Sequence, residues 1–383
     1  AAALVLIVSG YAAAADSRYD VAVIIGNTSY EHAPDVTFAG NDADLARTYA
    51  REVLGIRAGN ILDLRDATTA KLQQTFGNAD THKGDLYWTV RPGKSEVFVY
   101  YSGHGVPHVG ENGARGYLLP TDTRPGQPKL GGYPLDQLYA NLEKLPAVRV
   151  TVLLDACFSG LSQGGTLLPA TSGSFGVGVA APVPKAKLAV LTATAFDRAQ
   201  YAHWLPEKAH GAFTYYAFKG LYGAADAAAY GTSDGTVTLK EVHAYLNDEM
   251  RYKVRRTFRR DQSPSLRAAE GMDLALSRLS PGTRSSSPFD MAPDASDETR
   301  TAARTTGDVG APAAADDGSG YTIEARDEPH VVTTRSNVRA GPGTDHARVT
   351  TLDTGTEVTV TGKVAEADWY RIAYGDDRQG FIY

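Results

Sequence analysis

The chain has 383 residues, of which 43% are hydrophobic, and a formal net charge of −6. That length suits two domains joined by a linker, and the hydrophobic fraction is ordinary for a globular protein. The negative charge argues against nucleic acid as the main partner. After the N-terminus no stretch approaches the roughly 20 apolar residues that a membrane helix needs, so we expect no membrane span.

The chain opens with an apolar run at residues 3–8, followed by small residues up to Ala15. An apolar run that ends in small residues is typical of a secretory signal peptide. We therefore expect residues 1–15 to be the remnant of such a signal and the mature protein to begin near Asp16, outside the cytoplasm. A buried first strand or helix is the alternative.

Four short runs of β-branched, aromatic and other apolar residues predict strands over residues 21–25, 97–101, 150–154 and 188–191. None alternates apolar with polar residues, which is typical of strands buried on both faces of a parallel sheet. Apolar residues at helical spacing predict helices near residues 41–55, 135–145, 213–221 and 242–250. Asn41 and Asp42 are expected to cap the first of these helices. The alternation predicts an α/β fold over residues 16–278, with a mostly parallel sheet and helices on both faces.

The composition changes after this region. Residues 279–330 are dominated by Ser, Pro, Ala, Thr, Gly and Asp and have no apolar periodicity, which predicts a disordered linker. Residues 331–383 contain short β-type runs separated by glycine-containing turns, which predicts a small all-β domain.

The second and third predicted strands each lead into a glycine-flanked turn. One is Ser-Gly-His-Gly at residues 102–105, and the other is Asp-Ala-Cys-Phe-Ser-Gly at residues 155–160. Because the carboxyl ends of parallel strands meet at one edge of a sheet, we expect His104 and Cys157 to be neighbours. A thiolate activated by an imidazole attacks a carbonyl carbon, and the backbone N–H groups of Gly105 and Cys157 are candidates for an oxyanion hole. Cys157 is the single cysteine of the chain, so the alternative is an inert buried thiol beside an unrelated histidine.

At these two motifs the sequence resembles the caspase-like cysteine peptidases, in particular the metacaspase and orthocaspase branch (peptidase C14). The resemblance extends from about Tyr19 to Arg267. It implies a six-stranded, mostly parallel sheet and a catalytic dyad of His104 and Cys157 without an essential third member.

The resemblance also implies the substrate class. In metacaspases the pocket for the residue before the scissile bond is acidic and selects Arg or Lys, and the matching positions here are Asp42, Ser102 and Asp155. A carboxylate in such a pocket pairs with a guanidinium through two hydrogen bonds. We therefore predict an endopeptidase that cleaves protein or peptide substrates after Arg or Lys.

Two other functions remain open on the sequence. One is a catalytically inactive caspase-like scaffold or envelope adaptor, and the other is a legumain-like peptidase directed to Asn. The sequence implies no cofactor, although many metacaspases need calcium. Asp122 and Asp136 are weak candidate ligands, and so few hard oxygen ligands do not support tight binding.

The loop after Cys157 contains Lys185 and Lys187, which an Arg/Lys-directed enzyme could cleave in self-processing; a passive loop is the alternative. Residues 331–383 resemble a bacterial SH3-type domain through motifs such as Asn-Val-Arg-Ala-Gly-Pro-Gly at residues 337–343. This family is common in cell-envelope proteins, so the resemblance implies a cell-wall or protein ligand and a bacterial protein that is periplasmic or secreted.

Overall fold

In the computed structural model the described residues are 17–111, 113–162, 165–168, 172, 176–180, 182–185, 187–269, 275–278, 287–289, 323–332, 336–342, 346, 348–364, 369–375 and 378–382. The signal remnant predicted at residues 1–15 and most of the predicted linker lie outside these ranges. Within them, no helix is long and apolar enough to cross a membrane.

The peptidase-like region contains fifteen strands in these described ranges, several of them only two residues long. They are β1 Val21–Gly26, β2 Ile61–Arg65, β3 Glu96–Ser102, β4 Gly105–Gly110, β5 Gly113–Leu118, β6 Tyr133–Pro134, β7 Arg149–Asp155, β8 Leu161–Ser162, β9 Gly165–Thr166, β10 Leu188–Thr192, β11 Trp204–Leu205, β12 His210–Gly211, β13 Thr236–Thr238, β14 Ser265–Ala268 and β15 Ala275–Arg278. The helices are α1 Ala39–Glu52, α2 Thr69–Phe76, α3 Asp85–Thr89, α4 Pro128–Gly131, α5 Leu135–Glu143, α6 Ala212–Leu221, α7 Leu239–Tyr245 and α8 Arg251–Phe258. A π-helical turn, Leu246–Met250, joins α7 to α8.

A six-stranded sheet in the order β14-β10-β7-β3-β1-β2 forms the centre of this region. The strands from β10 to β2 pair in parallel, and β14 adds an antiparallel edge to β10. Strands β1 and β10 are buried along their whole length, and β3 and β7 are buried except at their first residue. The predicted fold class is confirmed, because these are the four continuous apolar runs of the sequence.

Helices cover both faces of the sheet, and alternate residues of each strand serve opposite cores. Tyr100 of β3 lies in the core formed with α1, α6 and α7, whereas Tyr101 lies in the core formed with α2, α3 and α5. This two-sided burial explains why the strands are apolar without alternation.

Helix α1 begins earlier than the sequence predicts. Its first residue is Ala39 and its N-cap is Phe38, which makes no side-chain capping hydrogen bond. The expected capping role of Asn41 and Asp42 is therefore wrong. Both residues lie within the first turn, where Asp42 is 2% exposed and faces the sheet edge rather than the helix start.

The C-terminal domain is a separate antiparallel β-structure with the strand order β16-β19-β20-β21-β17-β18. Its strands are β16 Ile323–Val331, β17 Ser336–Arg339, β18 Arg348–Leu352, β19 Glu357–Val364, β20 Tyr370–Tyr374 and β21 Arg378–Ile382. The composition predicts a disordered linker as far as residue 330, but residues 323–330 belong to β16, which pairs with β19. The reason is that β16 is a charged strand at the edge of its sheet, so its composition is close to that of a linker.

Contacts between described residues join this β-domain to the rest of the protein. The buried Arg339 guanidinium donates to the carboxylate of Asp248 in the π-helical turn. The ring of Trp369, which is 2% exposed, lies 6.1 Å from that of Tyr252 on α8. These contacts dock the β-domain against the C-terminal part of the peptidase-like region.

Candidate active site

Strands β3 and β7 are neighbours in the sheet, and their last residues, Ser102 and Asp155, lie opposite each other. The backbone N–H of Gly103 donates to the Asp155 carbonyl at 3.2 Å, so β3 and β7 end at the same edge of the sheet, side by side. The turns that follow carry His104 and Cys157. One cavity at this edge is lined by Val36, Asp42, Ser102, Gly103, His104, Asp155, Cys157, Ala202, Trp204 and Gly211.

The imidazole of His104 is held by the segment before α1. Its Nε2 lies 2.6 Å from the carbonyl oxygen of Pro34. Because a carbonyl can only accept, Nε2 carries the hydrogen, and Nδ1 of the neutral ring remains as the proton acceptor. Tyr30 supports the same residue, with its hydroxyl accepting from the His104 backbone N–H at 2.8 Å and its ring centroid 4.7 Å from the imidazole.

Burial sets the protonation state of this histidine. The side chain is almost fully enclosed, and desolvation lowers the pKa of His104 to about 4, against weaker raising effects from the Pro34 carbonyl and Asp35. The imidazole is therefore neutral at physiological pH, which is the form that accepts a proton.

Cys157 is 5% exposed and forms no disulfide. Its turn lies directly against the His104 turn, because a Cβ added to Gly105 would be 2.7 Å from the Cys157 carbonyl oxygen and 2.7 Å from the Phe158 ring. Only glycine allows this approach. The predicted oxyanion hole needs the backbones of Gly105 and Cys157 to be this close.

The three predicted pocket residues lie together beside the two turns. The hydroxyl of Ser102 donates to Asp42 Oδ2 at 3.0 Å. Asp155 Oδ2 accepts from the backbone N–H of Thr214 at 3.2 Å and from its hydroxyl at 2.5 Å. A Cβ on Gly211 would lie 2.3 Å from Asp155 Oδ2 and 3.1 Å from Asp42 Oδ2, so both carboxylates face the same small space.

Two buried carboxylates that face the same small space oppose each other's ionisation. Desolvation, reinforced by the charge of Asp42, raises the pKa of Asp155 from 3.8 to about 7. Desolvation also raises the pKa of Asp42, although His210, Gly211 and Ser102 donate hydrogen bonds that favour its ionised form. Strongly perturbed carboxylates that line a cavity are typical of functional sites.

Four further residues complete this pocket and were not predicted from the sequence. His210 Nδ1 lies 2.8 Å from Asp42 Oδ1, and the Gly211 N–H donates to the same oxygen at 3.1 Å. Thr214 binds Asp155, and Trp204 lines the cavity. Trp204, His210 and Gly211 come from the segment between β10 and α6, and Thr214 lies in the first turn of α6. In this part of the sequence the His-Gly pair, similar to His104-Gly105, was the usable signal.

The two weak calcium candidates lie apart from this cavity and bind protein groups. Asp122 accepts from the backbone N–H of Thr69, at the start of α2, at 2.9 Å. Asp136 forms an ion pair with Arg115 at 2.6 Å on the surface. Among the described residues there is no group of three His, Cys, Asp or Glu side chains arranged to hold a metal ion.

Comparison with known proteins assigns both parts of the chain. The family model of the caspase domain (peptidase C14) matches residues 20–271, and that of the bacterial SH3 domain matches residues 334–383. No curated protein sequence matches the chain.

Two solved structures are among those similar to this one. Caspase-1 from Spodoptera frugiperda has 13% sequence identity and a TM-score of 0.43, covering 69% of this chain and 92% of its own. A protein from Geobacter sulfurreducens has 18% identity and a TM-score of 0.44, covering 68% of this chain and 99% of its own. Because the caspase-domain model spans well over half of the sequence, the chain belongs to the caspase-domain family and carries a C-terminal bacterial SH3 domain.

Proposed function

We propose that the protein is a cysteine endopeptidase that cleaves after Arg or Lys, with His104 and Cys157 as the catalytic dyad. The observation that supports this most is the shared cavity: the thiol, the neutral imidazole and two buried carboxylates all line it. A nucleophile, a base and an acidic recognition pocket are the parts that such a reaction needs.

The chemistry follows from the state of His104. As Cys157 Sγ attacks the carbonyl carbon of the scissile bond, its proton passes to Nδ1 of the imidazole. The N–H groups of Gly105 and Cys157 receive the negative charge that develops on the carbonyl oxygen. The imidazolium then protonates the leaving amine, and a water molecule deprotonated by His104 hydrolyses the thioester and regenerates the thiol.

The pocket must widen before it admits an Arg or Lys side chain. Its cavity volume is about 20 Å³, which is room for one water molecule. Trp204 of β11 and Gly211 of β12 lie on one wall, on a hairpin in which these two residues pair. We infer that this hairpin shifts outward when substrate binds, which brings the guanidinium between Asp42 and Asp155.

A panel of fluorogenic peptides that differ only in the residue before the scissile bond tests the proposal. We expect cleavage after Arg and Lys, and its loss in Cys157→Ala. Preference for Asn would favour the legumain-like alternative, and preference for Asp would contradict the acidic pocket. If no peptide is cleaved by wild type, with or without calcium, the inactive scaffold is the better interpretation.

We also propose that the protein is exported and that its SH3 domain directs it to a cell-wall or protein ligand. The apolar run and small residues of the N-terminal 15 residues support export. Secretion of a reporter fused behind this segment, compared with one lacking it, tests that part. Pull-down of the purified SH3-containing protein by isolated cell walls tests the other.

A further inference from the structure

His210 lies beside the cavity and contacts one of the carboxylates that line it, Asp42. It belongs to the two-residue strand β12, and its Nδ1 lies 2.8 Å from Oδ1 of Asp42. The imidazole is about one-fifth exposed, whereas the Asp42 carboxylate is 2% exposed. His210 is not among the residues that line the cavity, so it does not fill the space between the two carboxylates.

The two carboxylate oxygens of Asp42 have different side-chain partners. Oδ1 accepts from His210 and from the Gly211 N–H at 3.1 Å, and that N–H also reaches Oδ2 at 3.3 Å. Oδ2 accepts from Ser102 as well and faces the same small space as Asp155. With Oδ1 bound to β12, the carboxylate plane is fixed and Oδ2 is directed into the cavity. A receptor for a planar guanidinium depends on this kind of fixed orientation.

The same contact favours the charged form of Asp42. Burial favours the protonated form of Asp42, and the hydrogen bond from the imidazole opposes it. Without His210, the Asp42 carboxylate, which is 2% exposed, would lose a hydrogen-bond donor. A protonated Asp42 would no longer attract a cationic side chain.

We propose that His210 is a positioning residue of the substrate pocket, which holds Asp42 oriented and charged for the side chain of Arg or Lys. It acts through Asp42 and not on the reacting atoms, and this inference rests on the proposed Arg/Lys specificity. His210 of β12 is then a fourth determinant of substrate specificity, after Asp42 of α1, Ser102 of β3 and Asp155 of β7.

Two substitutions at His210 distinguish the loss of its hydrogen bond to Asp42 from the loss of the imidazole itself. His210→Leu removes the donor, so we expect KM for an Arg substrate to rise about tenfold or more, the usual cost of losing a hydrogen bond to a charged group. The value of kcat should change little, because His210 does not contact the dyad. His210→Asn places an amide N–H near the position of Nδ1 and should restore most of the affinity. His82→Asn, at a histidine outside the pocket, is the control.

Binding of benzamidine, an aryl amidinium that mimics the Arg side chain, provides a readout without turnover, followed by the fluorescence of Trp204 in Cys157→Ala protein. We expect the dissociation constant to rise in His210→Leu and to recover in His210→Asn. If wild type binds benzamidine and His210→Leu binds it equally well, this inference is overturned while the proposed specificity stands. If wild type neither binds benzamidine nor cleaves Arg peptides, the proposed specificity fails and the inference fails with it.

Discussion

Asp155 is a residue at which substrate recognition and stability oppose each other. It is 7% exposed and shares its small space with Asp42. Its pKa rises from 3.8 to about 7 in the folded protein. Because the folded state holds this proton more tightly than the unfolded chain, the free energy of unfolding falls as pH rises from about 4 to about 7. Each pH unit in this interval is worth about 1.4 kcal/mol, which sets an upper limit of about 4 kcal/mol.

Asp155→Asn removes this titration and preserves the shape of the side chain, with an oxygen that still accepts from Thr214. At pH 4 the variant and the parent protein should have similar stability. Above pH 7 the variant should be more stable, by up to about 4 kcal/mol. Urea unfolding of the peptidase region, measured from pH 4 to 8.5 in a Cys157→Ala background, tests this without interference from self-cleavage.

The control is Asp136→Asn, which removes a surface carboxylate from an ion pair with Arg115. Its effect should be less than about 1 kcal/mol and should show no change near pH 7. A constant difference between Asp155→Asn and its parent across the pH range, or a less stable variant at pH 8, would refute the reasoning.

The same substitution should reduce activity where it raises stability. In wild type, kcat/KM for an Arg peptide should increase as pH rises through 7, because Asp155 then becomes ionised in the free enzyme. The pKa of His104 is about 4, so the change in kcat/KM caused by ionisation of His104 should occur well below pH 7. Asp155→Asn should abolish the rise near pH 7 together with most of the Arg/Lys cleavage.

Three further predictions concern other parts of the chain. Gly105→Ala should lower kcat/KM on the order of 100-fold with an intact fold by circular dichroism, because its Cβ would push the two turns apart; near-normal activity would contradict the proposed oxyanion hole. Self-cleavage should occur after Lys185, which is exposed, rather than after Lys187, whose ammonium donates to a backbone carbonyl. Mass spectrometry should therefore show the main fragment lost in Lys185→Gln and kept in Lys187→Gln. Asp248→Asn should weaken SH3 docking by about 3 kcal/mol, because it removes the carboxylate that pairs with the buried Arg339 guanidinium; an unchanged radius of gyration in X-ray scattering would argue against it.

The central sheet could be predicted because its inner strands are buried on both faces. The same signal is weak at the edges of the sheet. In β2 (Ile61–Arg65) and β14 (Ser265–Ala268), charged or polar residues interrupt the apolar ones. Strands of this kind are recognised through their hydrogen-bonded neighbours, which the sequence does not identify.

The candidate site could be predicted in part for the same reason. His104 and Cys157 follow predicted strands directly, so the sheet topology brings them together, and the structure places both in one cavity with Asp42, Ser102 and Asp155. The catalytic roles of His104 and Cys157 and the binding roles of the other three residues remain predictions. His210 is 168 residues from Asp42 in the chain and reaches it through the β11–β12 hairpin. No periodicity or motif determines how such a hairpin folds back over a pocket.

Cys157 is the single thiol in this sequence, and its side chain lies almost entirely below the surface. Within these 383 residues, oxidation to a sulfenic acid would therefore find no second cysteine to form a protective disulfide. Recovery would depend on a small thiol from solution that enters the same narrow cavity as the substrate. Exposure of the purified protein to peroxide should then cause a loss of the free thiol that excess reductant reverses only at early times.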